Sequence, residues 1–319
     1  MFAQTHRLDT PTGAHLAYHH EAARGAATGI IVICHGLAEH SRRYAGFAAA
    51  MASAGFHVYA HDHRGHGETV VDGTSIGRFA WENGGKAVIR DVKAMRDLAT
   101  ANHPGLPVLL FGHSMGGLIA LNAVQDFPAS FDALAVWNSN FNPGLAGRAA
   151  QVLLKTERAL KGSDVPSTLL PKLTFAAWNK SIGEGRTDFD WLSRDHASVD
   201  AYVADPLCGF DASVSLWLDI FELTFRGARR ERLAKLPKAL PIHLVGGGCD
   251  PATDRGRAID WLAARMQAED LANVTCTIHP DMRHETLNEI GAADAIADFA
   301  AWATRALPRS STRPGPDWE

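Results

Sequence analysis

The feature that most constrains this chain is a rhythm of short apolar runs and longer amphipathic segments that stops midway and then restarts. Residues 30–34 (IIVIC), 57–60 (HVYA), 107–111 (PVLLF) and 133–137 (ALAVW) are near-continuous apolar runs. Parallel strands covered by helices on both faces read this way, because neither face meets water. Between them lie helical segments at 44–54, 82–101 and 115–126. In the second, Val88, Val92, Met95 and Ala99 recur at three- and four-residue steps and share one helical face. Strand–helix–strand repetition predicts right-handed βαβ units and a mostly parallel, doubly wound α/β sheet.

From about Phe141 to Gly227 no good strand occurs, and helical pieces are broken at Pro143, Pro166, Pro171 and Pro206. The rhythm resumes with strands at 241–245 (PIHLV) and 274–279 (VTCTIH) and helices at 255–268 and 292–306. So long an interruption exceeds what a structureless loop supplies inside a compact domain. The reading is therefore an α/β core formed by residues 1–140 and 228–307, with an inserted helical cap at 141–227. The tail at 308–319, rich in Pro, Ser and Arg, is expected to be disordered.

With 319 residues the chain can bury a sizeable core without disulfides or metal. Its net charge of −4 gives no electrostatic case for nucleic acid or an anionic membrane as main partner. Cys34, Cys208, Cys249 and Cys276 are far apart and show no CxxC pairing, so neither a zinc site nor a disulfide framework is signalled. Residues 1–20 lack a secretory signal pattern, and no apolar run is long enough to span a membrane. A soluble, cytoplasmic protein with reduced thiols is expected.

The chemistry is carried by Gly112-His113-Ser114-Met115-Gly116, which fits GxSxG. The bare pattern is weak, but here it follows a strand and opens a helix, the strand–elbow–helix setting the motif requires. Such a turn lifts the Ser114 hydroxyl to the carboxyl end of the sheet, where ligands of open α/β sheets bind. A serine hydroxyl needs a base to become a nucleophile, and sixteen histidines compete for the role. In the α/β-hydrolase order of nucleophile, acid, histidine, the loops after the two strands beyond the cap select Asp250 and His284. Asp254 and Asp281 are rival carboxylates, and His279 is a rival base. Acyl transfer also needs donors for an oxyanion. The backbone N–H groups of Met115 and Leu37 are the candidates, with Gly36 letting the chain turn toward the pocket. The run His61-Asp62-His63-Arg64-Gly65-His66 has the spacing HxHxxH but lacks the further ligands of a two-metal hydrolase. It reads as a hydrogen-bonded loop beside the active site, and no metal or other cofactor is called for.

Taken together, HGLAEHSRRYAGFAAAMASAGFHVYAHDHRGHGET, LLFGHSMGGLIAL, CDPATDRG and RHETLNE resemble the monoacylglycerol lipase and lysophospholipase-like group of serine α/β-hydrolases. The segment FDWLSRDHASVDAYVADPLCGF is similar to bacterial members of that group, and the likeness runs from about residue 5 to 306. The resemblance implies a cofactor-free carboxylic-ester hydrolase acting on a glycerol-linked or other single-chain lipid. It carries the catalytic roles onto Ser114, Asp250 and His284, and the oxyanion roles onto Leu37 and Met115. Two departures are visible: Ala38 stands where glycine is frequent, and Cys249 precedes the acid.

The cap adds Leu153, Leu154, Leu169, Leu170, Leu173, Phe175, Trp178, Phe189 and Trp191, then the apolar run SVSLWLDIFELTF at 213–225. Such a lid can cover a long acyl chain, and transient contact with a membrane is compatible with it. Two alternatives share the motifs. An aminopeptidase-type serine peptidase would need cap carboxylates for a substrate amine, for which Glu157, Glu184 and Asp219 are available. An acyltransferase would use the same acyl-enzyme with water excluded.

Overall fold

The computed structural model describes residues 2–307, so the tail at 308–319 lies outside the described residues. Nine strands form one sheet: β1 (His6–Asp9), β2 (Ala14–Glu21), β3 (Gly29–Cys34), β4 (Phe56–His61), β5 (Val70–Val71), β6 (Val108–His113), β7 (Ala133–Trp137), β8 (Ile242–Gly247) and β9 (Val274–His279). Their order is β1-β2-β4-β3-β6-β7-β8-β9, with β5 paired to β2. From β4 to β9 every pairing is parallel, whereas β1 and β2 join antiparallel at one edge. This is the α/β-hydrolase fold.

The continuous apolar runs become central strands because side chains alternate between two buried faces. In β3, Ile30, Val32 and Cys34 pack on one side, and Ile31 and Ile33 on the other. The first face is covered by α2 (Gly84–Asn102), α3 (Met115–Asp126) and α10 (Arg257–Gln267). The second is covered by α1 (Ala45–Ser53) and α11 (Ala292–Ala306). Val88, Val92, Met95 and Ala99 lie fully buried in the first of these cores, as their spacing on α2 predicts.

Between β7 and β8 the chain leaves the sheet and forms α4 (Gly144–Lys161), α5 (Leu170–Leu173), α6 (Phe175–Ile182), α7 (His196–Ala204), α8 (Val214–Gly227) and α9 (Arg230–Leu233). Ser213 caps α8 by accepting the Leu216 N–H, and Asp195 caps α7 by accepting the Ala197 N–H. Helix α8 is bound to the core rather than resting on it. Leu216, Trp217, Ile220 and Leu223 join the main apolar cluster, each contributing about 1.5–3 kcal/mol if fully withdrawn from water. Asn122 and Gln125 of α3 donate to the Leu223 and Gly227 carbonyls at the end of α8. By contrast, α4 leaves Leu145, Val152 and Leu160 exposed.

Candidate active site

Ser114 sits between β6 and α3 with φ +54° and ψ −119°, a strained elbow for a residue bearing a side chain. The flanking glycines are required by contact. A Cβ on Gly112 would lie 2.2 Å from the Gly116 carbonyl oxygen, and one on Gly116 would lie 2.0 Å from that of Cys34. The elbow is pinned by the Ser114 N–H to the Trp137 carbonyl at 2.8 Å, and by the Ser139 hydroxyl to the Ser114 carbonyl at 2.7 Å.

The loops after β8 and β9 bring Asp250 and His284 to this hydroxyl. His284 Nε2 is 2.9 Å from Ser114 Oγ, and His284 Nδ1 is 3.0 and 3.1 Å from the two Asp250 oxygens. With Nδ1–H donating to the carboxylate, Nε2 is the lone-pair nitrogen that faces the hydroxyl. Asp250 is fully buried, which by itself would raise its pKa. The adjacent His284, with hydrogen bonds from His284, Asn138 and Thr253, outweighs burial and holds the carboxyl below its ordinary range. The rivals do not converge on Ser114. Asp254 is exposed and paired with Arg257 at 2.5 Å, Asp281 is exposed, and His279 ends β9 with a half-buried ring.

Two residues that the sequence did not single out, Asn138 and Thr253, and one aromatic of the inserted segment complete the arrangement. Asn138, at the end of β7 with φ +50°, donates to Asp250 Oδ2 at 3.1 Å and accepts from Thr286 at 3.0 Å. Thr253 donates to the same carboxylate oxygen at 2.8 Å. Trp191, from the inserted segment, lies with its ring centroid 4.8 Å from that of His284 and shields the imidazole.

Leu37 and Met115 both border the cavity into which Ser114 opens. The loop at residues 35–40 differs from expectation in where its special backbone lies. The left-handed residue is Ala38, at φ +54°, while Gly36 is needed for close approach: a Cβ there would meet Glu39 Oε1 at 2.6 Å. This explains why glycine suits position 38, since an alanine in that region carries strain. The Ala38 carbonyl accepts from Tyr202 Oη and from the Gly209 N–H, each at 2.9 Å, so the inserted segment holds the loop from above.

From below, the buried Glu39 carboxylate accepts from the Gly36 N–H at 2.6 Å, Tyr44 Oη at 2.8 Å and Arg43 at 2.7 Å. Burial would raise the Glu39 pKa, but the hydrogen bond from His113 and the Arg43 charge hold it well below the ordinary value. Burial would lower the pKa of His113, but the hydrogen bond to Glu39 and its charge raise it. His113 Nε2 in turn lies 3.0 Å from the His284 carbonyl, which ties the elbow to the histidine loop.

The 61–66 loop corrects one expectation. Asp62 and Arg64 are indeed hydrogen-bonded, to Ser41 and Asp91 respectively, but both ring nitrogens of His61 and His63 have no hydrogen-bond partner among the described residues. Burial holds these imidazoles neutral: the His63 ring lies tilted against His35 with centroids 4.3 Å apart and meets the His61 ring edge-on at 4.8 Å, since a neutral imidazole behaves as a flat, half-apolar side chain.

Above Ser114 opens a cavity of about 830 Å³. Its walls include Leu153, Leu170, Phe175, Trp191, Trp217 and Phe221, all from the inserted segment, while Leu154 faces the core instead. None of the three carboxylates considered for a substrate amine lines it. Glu157 is engaged by Ser167 and Thr168, Glu184 by Arg283, and Asp219 is pressed against Gly84 at the start of α2.

Fold and elbow define a hydrolase of the serine α/β type, and comparison with known proteins agrees. Residues 25–291 match the family model described as serine aminopeptidase, S33, and the chain belongs to that family. Its curated relatives include a human protein named monoglyceride lipase, 29% identical over 83% of this chain and 79% of that one. A Mycolicibacterium smegmatis protein named monoacylglycerol lipase is 28% identical over 86% of this chain and 87% of its own length. A solved structure titled as an open-form lipase superposes with a TM-score of 0.83 at 26% identity, covering 95% of this chain and 98% of its own.

Proposed function

We propose that this protein hydrolyses carboxylic esters of single-chain lipids, of monoacylglycerol or lysophospholipid type, through an acyl-enzyme on Ser114. The observation that carries the substrate reading is the apolar cavity opening on the Ser114 hydroxyl. A long acyl chain buried there gains about 0.8 kcal/mol per methylene, which makes the chain the main source of binding energy. In this reading residues 141–227 act as a lid on a core of 1–140 and 228–307. The exposed Leu145, Val152 and Leu160 on α4 support transient contact of that lid with a membrane surface.

His284 Nε2 takes the Ser114 proton as Oγ attacks the ester carbonyl. Asp250 keeps the imidazole in the required tautomer and offsets its positive charge. The oxyanion of the tetrahedral intermediate is received by the N–H groups of Leu37 and Met115. Collapse breaks the ester bond, and His284 returns the proton to the departing alcohol. A water, deprotonated by the same histidine, then attacks the acyl carbonyl; the bond to Ser114 Oγ breaks, the fatty acid leaves, and His284 returns the proton to Ser114. The relatives named as monoglyceride lipases favour this reading over the peptidase reading that the family description suggests. So does the engagement of Glu157, Glu184 and Asp219 elsewhere.

The test is a comparison of monoacylglycerols of increasing chain length with aminoacyl anilides. Turnover of the esters, rising in kcat/KM as the chain lengthens, is the expected result. Preferential cleavage of the anilides would replace the lipid substrate with a peptide.

A further inference from the structure

The loop at residues 35–40 meets the turn after α7 through a second set of side chains, separate from the Tyr202 and Gly209 contacts. His40 Nε2 lies 2.8 Å from Asp205 Oδ2, and the donor atoms of His40, Asp205 and Cys208 all fall within 4.8 Å of one another. Three elements of local structure fix this trio. His40 directly precedes a 3₁₀ turn and is 6% exposed. The other Asp205 oxygen accepts the Leu207 N–H at 2.9 Å. The Cys208 N–H donates to the Asp205 carbonyl at 3.0 Å, which folds the thiol back toward the carboxylate.

We propose that His40, Asp205 and Cys208 form a Zn²⁺ site that joins the 35–40 loop to the inserted segment. An imidazole nitrogen, a carboxylate oxygen and a thiolate sulfur make up a donor set that Zn²⁺ accepts and hard cations do not. Tetrahedral zinc with bonds of about 2.0–2.3 Å places its donors about 3.3–3.6 Å apart. The His40–Asp205 separation has to open by less than about 1 Å, and no pair has to close by more than about 1.5 Å. Side-chain rotation covers such distances. Cys208 is half-buried and the Asp205 side chain is 30% exposed, so an ion has an entry path and a water can complete the coordination.

The surrounding charge favours a cation. The foremost charge acting on Cys208 is the Arg43 guanidinium, which Glu39 and Glu285 already pair, and the Asp205 carboxylate adds a further negative charge. Binding requires the Cys208 thiolate, so the thiol proton is released to solvent as the metal is taken up. The other cluster with ligand-like spacing among the described residues, His20, His57 and His103, is a poorer candidate. The His57 and His103 rings stack face to face with centroids 3.5 Å apart, so no single ion can lie in both ring planes.

Co²⁺ titration of the full-length protein under a non-thiol reductant tests the site, with Zn²⁺ competition giving the affinity. The expected result is a near-ultraviolet thiolate-to-cobalt band that saturates at one equivalent and is displaced by Zn²⁺. It should vanish in Cys208→Ser and in Cys208→Ala, weaken at least tenfold in His40→Gln, and persist in His103→Gln. Absence of the band in the native protein would overturn the proposal. So would its survival in both Cys208 variants, which would assign it to the exposed Cys249 or Cys276. Loss of binding in His103→Gln alone would move the ion to the three-histidine cluster. None of these readouts depends on Ser114 being the nucleophile.

Discussion

Acid should act first on the buried histidines packed around the 35–40 loop. His61 and His66 are fully buried, and burial together with the neighbouring His35 pushes each down to about 3. In the unfolded chain a histidine titrates near ~6.5. Between those two values the unfolded state binds protons that the native state refuses. Stability is therefore complete above about pH 6.5 and is lost progressively as the pH falls toward 3. Each group removes about 1.4 kcal/mol per pH unit over that window, so at about pH 5 the pair costs about 4 kcal/mol. That is a large share of the ~5–15 kcal/mol that holds a typical protein folded. Replacing His61 by Leu deletes one titrating ring while keeping an apolar filling. Urea unfolding of both proteins at about pH 7.5 and about pH 5, followed by tryptophan fluorescence, is the assay. The stability lost between the two pH values should be smaller by about 2 kcal/mol in His61→Leu. An equal loss in both proteins would refute the reasoning, because it would mean His61 is already protonated, or free to become so, in the native fold.

Three further outcomes follow from the site. Glu39→Gln weakens the support of the Gly36 N–H and removes the charge paired with Arg43 and His113, so kcat for ester hydrolysis should fall about 10- to 100-fold with little change in KM. A changed KM with an unchanged kcat would assign Glu39 to substrate binding instead. Asp250→Asn should leave the fold intact and reduce kcat by about 10⁴, since the imidazole tautomer is then no longer enforced. Gly116→Ala places a Cβ 2.0 Å from the Cys34 carbonyl oxygen and should unfold at markedly lower urea than the native protein, as equilibrium melts would show.

The central sheet was legible because β3, β6 and β7 are buried on both faces, and continuous burial leaves a continuous apolar run. The helix at 115–126 and the strand at 274–279 fall where the pattern puts them. The antiparallel edge was not legible. In β1 no residue is buried, and β2 interleaves three histidines among its apolar positions, so neither shows a clean period of two. Within the candidate site, loop order along the sheet selects Ser114, Asp250 and His284, whose side chains meet in the structure. Asn138, Glu39 and Trp191 carry no such signal. Each acts through a contact between segments far apart in sequence, as when Glu39 meets His113. The strain at Ala38 was invisible for a different reason, since only a backbone angle reveals it.

The most direct test of the account is intact-mass analysis after exposure to a fluorophosphonate, run on the native protein and on Ser114→Ala. His284 Nε2 at 2.9 Å from the Ser114 hydroxyl predicts one rapid covalent adduct on the native protein and none on the variant. An unmodified native protein, or an equal adduct on Ser114→Ala, would contradict the assignment of Ser114 as nucleophile.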